Sequence, residues 1–468
     1  MAAAAAPGPM PRRRIAVVGS GISGLTAGYV LARADEVTLF EADRRLGGHA
    51  HTHQIDSGNG SALSIDSGFI VHNRRTYPLL TRLFAELGIT VQETEMSMSV
   101  SCAGCGLQYA GQRGLAGLAA GLPRGRGRYL KMLGEVLRFH RSARQLLARG
   151  APGASRPSAG DPSAGDPSAA GLLAAGLSAE GPSAEGEGAE LTLGQFLADG
   201  RYSRYFVTHF AMPFVAAVWS CSPQTALRYP ARYLFAFLAQ HGLLSVTGSP
   251  PWLTVTGGSG SYVQRVAKQL TAVSTGTPVG AVRRVGGGAE VSYRDEDGAE
   301  RAARFDAVVI ATHPDQALRL LADPAAAERE VLGAFTYSRN ATVLHTDSRL
   351  IPASPRVRAG WNYALPSCAA SAGPVQVSYY MNRLQRLPGR TDYVVTLNAD
   401  DRIAPGSVLA RMDYSHPVYD PVSVAAQGRL PELNDGVLAF AGAYHGWGFH
   451  EDGCRSGLAA AESLGGRW

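Results

Sequence analysis

Long apolar runs are missing from this sequence of 468 residues. No stretch approaches the roughly 18 uninterrupted apolar residues that a membrane-spanning helix needs, and residues 1–14 contain no signal-type apolar core. Cysteine is also sparse, because an odd count of five does not suit a disulfide framework and fits a reducing compartment. These absences predict a cytoplasmic protein.

Lysine is almost absent, since Lys131 and Lys268 are the only two and every other cationic side chain is an arginine. A reaction that needs a lysine therefore has just two candidates. The net charge of +6 is small for this length and is spread along the chain, so we expect no nucleic-acid partner.

The remaining composition is that of a folded globular protein, with 45% hydrophobic and 18% charged residues. The length predicts one very large domain or two interleaved ones. Residues 151–190 are the exception, because they contain no aromatic residue and consist mainly of Ala, Gly, Ser, Pro, Asp and Glu. We expect a disordered insertion there and a disordered N-terminus over residues 1–10.

The segment from Arg14 to Phe40 has the pattern strand, glycine-rich turn, helix, strand. Its turn, residues 19–24, reads Gly-Ser-Gly-Ile-Ser-Gly, which lets the backbone approach a pyrophosphate at the N-terminus of a helix. Glu41 follows the second strand and is placed to accept hydrogen bonds from a ribose diol. This unit predicts a dinucleotide site, and an acid at this position favours FAD or NAD over NADP.

The continuation over residues 41–48, Glu-Ala-Asp-Arg-Arg-Leu-Gly-Gly, resembles the flavoproteins of the amine oxidase and phytoene desaturase superfamily. Further segments resemble the flavin and nucleotide motifs of that family in the same order along the chain: 66–69, 257–258, 279, 306–312, 440–442 and 448–453. The resemblance implies an α/β fold with a Rossmann-like FAD-binding domain and a discontinuous substrate domain. The first would comprise residues 11–75, 255–320 and 431–468, and the second residues 76–254 and 321–430.

The resemblance also implies FAD, bound noncovalently, as the cofactor. The residues that it places against FAD come from all of these motifs: Gly19, Ser20, Gly21, Ile22, Ser23, Gly24, Glu41, Ala42, Arg45, Gly47, Gly48, His49, Asp66, Ser67, Gly68, Phe69, Val279, Thr312, Gly442, Ala443, Gly448, Phe449 and His450. Finer details, such as Gly-His-Ala at residues 48–50, resemble a bacterial branch of predicted FAD-binding proteins. That branch often accompanies cyclopropane-fatty-acid-synthase-like methyltransferases, which implies a lipid acyl chain as substrate.

One family feature is missing. Many amine oxidases hold a lysine near flavin N5, but the comparable strand from Phe335 to His345 has none, and Asn340 occupies that region. The candidate catalytic residues are therefore Asn340, His445 and His450, the histidines as proton acceptors or as groups that polarise the flavin carbonyls. The alternative for each histidine is a hydrogen bond to backbone, and His416 is interpreted as structural.

Aromatic side chains are candidates to line an apolar substrate tunnel: Trp219, Trp361, Tyr363, Tyr444 and Trp447. Plain core packing is the alternative for each of them.

The pattern of residues 124–149 predicts a basic amphipathic helix. This helix either contacts anionic lipid at the inner face of the membrane or presents a solvated face. The oligomeric state stays open.

No metal site is expected. His49, His51 and His53 alternate as in a strand and have no cysteine nearby. Cys102 and Cys105 form a single C-x-x-C in a predicted hairpin turn, where zinc would need two more ligands, so they are interpreted as incidental turn cysteines.

Three functions remain open at this point. The first is an FAD-dependent desaturase or oxidase that removes a hydride equivalent from an apolar, fatty-acyl-like substrate and forms a C=C or C=N bond. The second is an amine or amino-acid oxidase. The third is a flavoprotein whose FAD is structural or acts without net redox change.

Overall fold

The structure is a computed structural model that describes residues 12–56, 60, 62–111, 117–118, 126–149, 190–245, 249–369 and 373–468. The two segments expected to be disordered, residues 1–10 and all of 151–190 except residue 190, lie outside the described residues. The first two positions of the basic helix, 124 and 125, also lie outside them.

The secondary structure mixes strands and helices along the whole described chain. The strands are β1 (Arg14–Val18), β2 (Glu36–Phe40), β3 (Thr52–Asp56), β4 (Ala62–Asp66), β5 (Val91–Thr94), β6 (Met98–Cys102), β7 (Gln108–Ala110), β8 (Trp252–Val255), β9 (Ala272–Ser274), β10 (Val279–Val285), β11 (Gly288–Arg294), β12 (Glu300–Phe305), β13 (Ala307–Ile310), β14 (Thr336–His345), β15 (Trp361–Leu365), β16 (Val377–Tyr380), β17 (Val394–Leu397), β18 (Val408–Val418) and β19 (Leu438–Phe440). The α-helices are α1 (Ile22–Leu31), α2 (Pro78–Glu86), α3 (Arg126–Ala148), α4 (Leu193–Asp199), α5 (Arg204–Phe206), α6 (Met212–Trp219), α7 (Pro223–Arg228), α8 (Ala231–Gln240), α9 (Gly260–Ala267), α10 (Pro314–Leu320), α11 (Ala326–Gly333), α12 (Met381–Leu384), α13 (Pro421–Gln427) and α14 (His450–Ser463). A π-helix, Val207–Ala211, joins α5 to α6.

A five-stranded parallel sheet holds the predicted dinucleotide unit. Its strand order is β19-β13-β1-β2-β9, so it combines strands that are far apart along the chain. Successive residues of β1 point to opposite faces, and both faces are buried: Ile15 and Val17 belong to one core, Ala16 and Val18 to another.

Different layers cover the two faces of this parallel sheet. The helices α1, α9 and α14 pack on the first face, where Leu25, Val263 and Cys454 are buried. The antiparallel sheet β10-β11-β12 and the helices α10 and α11 cover the second face. The carboxyl ends of the strands, where Gly19 and Glu41 follow β1 and β2, therefore open at one edge between these layers.

A second sheet has seven strands in the order β18-β14-β17-β16-β15-β6-β7. Its pairs are antiparallel except for β15 with β6, in which Leu365 lies beside Cys102. The helices α3 to α8 pack around an aromatic core against this sheet, with Phe139, Phe206 and Phe235 fully buried.

This architecture confirms the predicted fold class, an α/β parallel-sheet unit joined to a second region built from separate chain segments. The helical spacing of apolar residues over 76–87 and the glycine at position 88 predict a helix that ends there. Helix α2 confirms this, because it ends just before Gly88, which adopts φ +64°. The exact domain boundaries given above stay a prediction. Among the described helices, none has the length and apolar character needed to cross a membrane.

Candidate cofactor and substrate site

The glycine-rich turn after β1 is built by close backbone contact. A Cβ atom on Gly24 would lie 2.0 Å from the carbonyl oxygen of Gly19, so only glycine fits there. Helix α1 starts directly after Gly21, and within the described chain no side chain caps its first turn. Its free N–H groups and positive dipole end are therefore available to an anionic ligand.

Glu41 lies across the turn from this helix end. Its carboxylate accepts hydrogen bonds from the backbone N–H of Ser20 and of Asp43, each at 2.9 Å, and from the Ser20 hydroxyl. These bonds hold the Glu41 side chain at the carboxyl edge of the sheet.

A second chain segment closes over the turn. Gly48 adopts φ +57°, and a Cβ atom there would lie 3.1 Å from Cα of Gly21. The two glycine motifs that the sequence separates by more than twenty residues thus face each other.

A cavity of about 620 Å³ starts at these glycines and extends into the second region. Many of the predicted site residues line it: Gly19, Ser20, Gly21, Ile22, Ser23, Glu41, Ala42, Gly48, His49, Ser67, Gly68, Phe69, Trp219, Val279, Thr312, Trp361, Gly442, Ala443, Tyr444, Trp447, Gly448, Phe449 and His450. Residues predicted to contact a cofactor and residues predicted to contact a substrate therefore share one space.

Some predicted residues lie outside the lining. They are Gly24, Arg45, Gly47, Asp66, Asn340, Tyr363 and His445. Gly24 lies in the first turn of α1 and faces Gly19, and Arg45 pairs with Asp43, Nε to Oδ2, at 3.4 Å. Tyr363 is buried in the core of the second region.

Asp66 is a buried connector between chain segments. Its carboxylate accepts hydrogen bonds from the Thr52 hydroxyl, from the backbone N–H and hydroxyl of Ser259, and from Nε2 of Gln385 at 3.0 Å. Burial raises the pKa of Asp66 to about 6, against these hydrogen bonds. Asp66 thus ties the β3–β4 hairpin to the start of α9 and to the end of α12.

The two histidines proposed as proton acceptors have different surroundings. Burial lowers the pKa of His445 and of His450 to about 3 each. Nε2 of His445 is buried and finds no hydrogen-bond partner among the described residues. His450 lines the cavity, stacks on Phe69 with ring centroids 3.7 Å apart, and has Nε2 3.2 Å from the Tyr262 hydroxyl. Such neutral imidazoles are weak bases at neutral pH.

Asn340 does not line the cavity itself, but it forms a hydrogen bond with His416, which does. Nδ2 of Asn398 donates to Oδ1 of Asn340 at 2.8 Å and to the carbonyl of Val375, which fixes the orientation of both amides. Nδ2 of Asn340 then donates to Nδ1 of His416 at 3.0 Å. Burial lowers the pKa of His416 to about 4, so the neutral ring carries its proton on Nε2. His416, which the sequence favoured as structural, lines the cavity.

The far end of the cavity is apolar and aromatic. Trp219 donates from Nε1 to the carbonyl of Trp447, and Trp447 donates from its own Nε1 to the carbonyl of Tyr233. These bonds satisfy the indole N–H groups of Trp219 and Trp447, which leaves their ring surface for a ligand. The buried Nε1 of Trp361, which also lines the cavity, has no hydrogen-bond partner among the described residues.

Sequence reasoning missed several residues of the lining: Phe237, His241, His313, Tyr337, Tyr379, Leu397 and Tyr414. They come from α8, the loop before α10, and strands of the seven-stranded sheet. Apart from Tyr414, in the segment Tyr-Ser-His-Pro, no sequence motif marks them, because their position depends on how distant segments pack.

The residues present fit FAD. The uncapped N-terminus of α1, the Glu41 carboxylate and the contact between Gly21 and Gly48 give a pyrophosphate and a ribose the donors, acceptors and space they need. Nε2 of His49 is buried beside the cavity without a partner among the described residues, which leaves a polar atom for a ligand.

Comparison with known proteins gives the same assignment. The family model described as flavin containing amine oxidoreductase matches residues 22–350. Two curated proteins match short segments. Tryptophan 2-monooxygenase of Allorhizobium ampelinum is 52% identical over 42 residues, 8% of this chain and 6% of that protein. The L-amino acid oxidase of Cerastes cerastes is 49% identical over 45 residues, 9% of each. The match thus spans less than a tenth of the length of these relatives.

Solved structures share the fold over nearly the whole chain. Putrescine oxidase bound to putrescine has a TM-score of 0.65 at 16% identity, covering 97% of this chain and 99% of that one. Cyclohexylamine oxidase from Brevibacterium oxydans has a TM-score of 0.64 at 16% identity with the same coverage. A CLA-producing fatty acid isomerase from P. acnes has a TM-score of 0.62 at 15% identity, covering 95% and 97%.

Proposed function

Since the chain belongs to the family of flavin-containing amine oxidoreductases, we propose that it is an FAD-dependent oxidoreductase acting on an uncharged, apolar substrate, with an acyl chain as the favoured class. The observation that carries this proposal is one continuous cavity, which runs from the glycine turn at Gly21 to an aromatic end at Trp219 and Trp361. FAD would occupy the first part, and the substrate the second.

FAD would be held by the motifs that face each other across the cavity. The α1 N-terminus at Gly21 would bind the pyrophosphate, Glu41 the ribose diol, and the backbone of Val279 the adenine. Phe69, Gly448 and Phe449 would lie along the isoalloxazine. We propose noncovalent binding, because Cys454 lies outside the cavity lining and receives a hydrogen bond from Thr26 of α1.

Electrostatics support an uncharged substrate. Among the described residues that line the cavity, Glu41 and Arg319 are the charged ones. Glu41 belongs to the glycine turn, and Arg319 lies in α10, which packs on β10. The aromatic end thus offers no carboxylate to an ammonium group. Burial also keeps His241 and His450 neutral, so no cation there would pair with a carboxylate.

The chemistry would be a hydride removal. Oxidised FAD, when bound, would accept the hydride equivalent, and the proton lost from the substrate would pass to a neutral imidazole of the lining, with His450 as the candidate, to complete a C=C bond. The chain itself would orient the substrate between Trp219 and Trp361 and exclude water. His416 would direct its Nε2–H into the cavity and supply a fixed hydrogen-bond donor.

Helix α3 supports contact with a lipid surface. Leu130 and Leu137, two turns apart, are 61% and 55% exposed. Exposed arginines, including Arg128, Arg141 and Arg144, lie on the same helix. Exposed leucines among cations suit the surface of an anionic bilayer, from which an acyl substrate would enter.

The first experiment is a visible spectrum of the purified protein before and after denaturation. Flavin bands that pass into the supernatant would establish noncovalent FAD. Glu41→Gln should reduce FAD retention strongly. Glu36→Gln makes the same change at the exposed start of β2 and should leave FAD retention unchanged.

The second experiment is anaerobic bleaching of the flavin with two sets of compounds. A neutral acyl ester or phospholipid with long chains should bleach the flavin, and putrescine or cyclohexylamine should not. Bleaching by the amines alone would overturn the apolar-substrate proposal in favour of an amine oxidase. Flavin that dithionite reduces but no compound bleaches would favour a structural or non-redox cofactor.

A further inference from the structure

Four side chains with metal-binding atoms meet at a point away from the cavity. Cys102 and Cys105 come from the β6–β7 hairpin, Cys368 from the loop after β15, and His209 from the π-helix before α6. Their three sulfur atoms and one ring nitrogen all lie within 4.8 Å of one another. The sequence shows only the C-x-x-C pair, and the fold adds the two ligands that a zinc site would still need.

The distances match a tetrahedral centre. Sγ of Cys102 is 3.7 Å from Sγ of Cys368, and Sγ of Cys105 is 3.6 Å from Nε2 of His209. Zn–S bonds of about 2.3 Å and Zn–N bonds of about 2.0 Å at tetrahedral angles require S···S separations of roughly 3.8 Å and S···N separations of roughly 3.5 Å. Two of the six separations between these atoms are thus close to the lengths that one zinc ion imposes, and the others are at most 4.8 Å.

The surroundings orient the ligands. Nδ1 of His209 donates to the carbonyl of Tyr205 at 3.0 Å, which leaves Nε2 unprotonated and turned to the sulfur atoms. Gly106 follows Cys105 with φ +72°, so the hairpin turns sharply and both of its thiols face one side. Gly104 lets the loop of Cys368 approach, since a Cβ atom on it would lie 2.9 Å from the Cys368 backbone nitrogen.

A disulfide and an iron–sulfur cluster suit these four groups less well than zinc does. A disulfide joins sulfur atoms at about 2.05 Å, and all five cysteines are free. Such a bond would also leave two of the four groups unused. An iron–sulfur cluster holds its ligands on several irons, so it needs wider spacing than four atoms within 4.8 Å of one another.

We propose that Cys102, Cys105, His209 and Cys368 form a structural zinc site of the Cys₃His type. With four protein ligands the ion has no open position for a substrate. It would instead join three segments that together span more than 250 residues of the chain, at the edge of the seven-stranded sheet.

The site would also support the aromatic end of the cavity. His209 precedes α6, and α6 ends at Trp219, which lines the cavity. Tyr109 of β7 donates its hydroxyl hydrogen bond to the carbonyl of His209 at 2.8 Å. Zinc would thus hold the base of the helix that carries Trp219.

The test measures metal in the purified full-length protein with its cofactor. Elemental analysis should give about one zinc per chain, and zinc K-edge absorption should fit three sulfur ligands and one nitrogen. Protein expressed with cobalt should show intense d–d bands at wavelengths beyond the flavin absorption.

Cys368→Ser is the informative variant, because Cys368 lies at the surface and the fold does not need its side chain in a core. It should lose most of the zinc and the cobalt bands, and its Tm should fall. Cys221→Ala, a buried cysteine outside the cluster, should keep the metal. Two outcomes would overturn the zinc proposal: native protein that contains no stoichiometric metal, or a Cys368→Ser variant with an unchanged metal content and cobalt spectrum. Both outcomes count whether or not FAD is bound, so the zinc proposal can fail independently of the proposed function.

Discussion

Asn340 on β14 donates from Nδ2 to Nδ1 of His416 on β18, across two neighbouring antiparallel strands. Because Nδ2 of Asn398 donates to Oδ1 of Asn340, the amide cannot reverse without losing two hydrogen bonds. Asn340, which the family resemblance places where many amine oxidases hold a lysine, thus sets the tautomer of a neutral imidazole. We therefore propose Asn340 as a positioning residue for His416, which lines the cavity.

Asn340→Asp should raise the pKa of His416 by at least about one unit, because a carboxylate would accept a hydrogen bond from Nδ1–H and stabilise the imidazolium. Ring nitrogen signals in ¹⁵N-histidine spectra, assigned with His416→Gln, would report the shift. Asn340→Leu is the control, since it removes the partner without adding charge. If the pKa of His416 is the same in the native protein and in Asn340→Asp, the hydrogen bond between residue 340 and His416 does not control the protonation of the ring.

Asp66→Asn should lower the free energy of unfolding by about 2 kcal/mol, because an amide N–H₂ would face the donors of Thr52, Ser259 and Gln385. Urea unfolding would measure the change. Asp413→Asn should be nearly neutral, since Asp413 only pairs with Arg339 at an exposed site. Equal effects of the two substitutions would rule out the connector role of Asp66.

Acid should destabilise the protein between pH 6.5 and about 4. All twelve histidines have pKa values lowered from 6.5, mainly by burial, so the unfolded chain binds more protons than the native one in this range. Each excess proton costs about 1.4 kcal/mol per pH unit.

Three buried acids oppose this trend. Burial raises the pKa of Asp66 and Asp452 to about 6 and of Glu451 to about 7, so these groups favour the native state as pH falls through those values. The histidines outnumber them, and Tm should fall as pH falls below 6.5. A flat or rising Tm from pH 6.5 to 4.5 would mean that the histidines are accessible to protons in the folded protein.

Gly457→Ala should destabilise the protein by about 2 kcal/mol, because the new Cβ atom would lie 2.3 Å from the carbonyl oxygen of Ser23 and push α14 away from α1. FAD retention should fall as well, since α1 presents its N-terminus to the cavity. Gly134→Ala, in the exposed part of α3, meets no atom within 4 Å among the described residues and should stabilise by up to about 1 kcal/mol. Thermal unfolding of both variants would compare them.

The double substitution Leu130→Gln and Leu137→Gln should weaken binding to anionic vesicles by several-fold, because it removes two exposed apolar side chains from α3. The flavin spectrum should not change. Cosedimentation with vesicles that contain phosphatidylglycerol would measure it. Val422→Gln is the matched control, as Val422 is 65% exposed on α13. If the native protein does not cosediment with anionic vesicles, α3 presents a solvated face.

The sequence was informative where structure depends on near neighbours. The turn at residues 19–24, α1 and β2 are recognisable because glycine spacing and apolar alternation are local. Helix α2 ends where Gly88 predicts. The apolar runs that become β13 and β19 could be identified as strands, and their place beside β1 agrees with the family resemblance.

Contacts between distant segments could not be read in the same way. His209 and Cys368 are separated by more than 150 residues, and neither lies in a recognisable motif. From its segment Tyr-Ser-His-Pro, His416 is interpreted as structural, yet it lies on the strand β18 and lines the cavity. The family resemblance of residues 66–69 places Asp66 against the flavin. The other three residues of this motif line the cavity, while the Asp66 side chain turns to Ser259 and Gln385.

The parallel sheet has a consequence for how the protein reaches its active form. Its central strand β1 is made first, but its neighbour β13 follows almost 290 residues later, and α14 covers α1 only after residue 450. Such long-range contacts make folding slow, because distant segments must meet before burial repays their loss of entropy. During synthesis, the glycine turn would stay exposed to solvent until β13 and α14 have left the ribosome and packed beside β1 and α1. FAD uptake would therefore be a late event that reports completed folding.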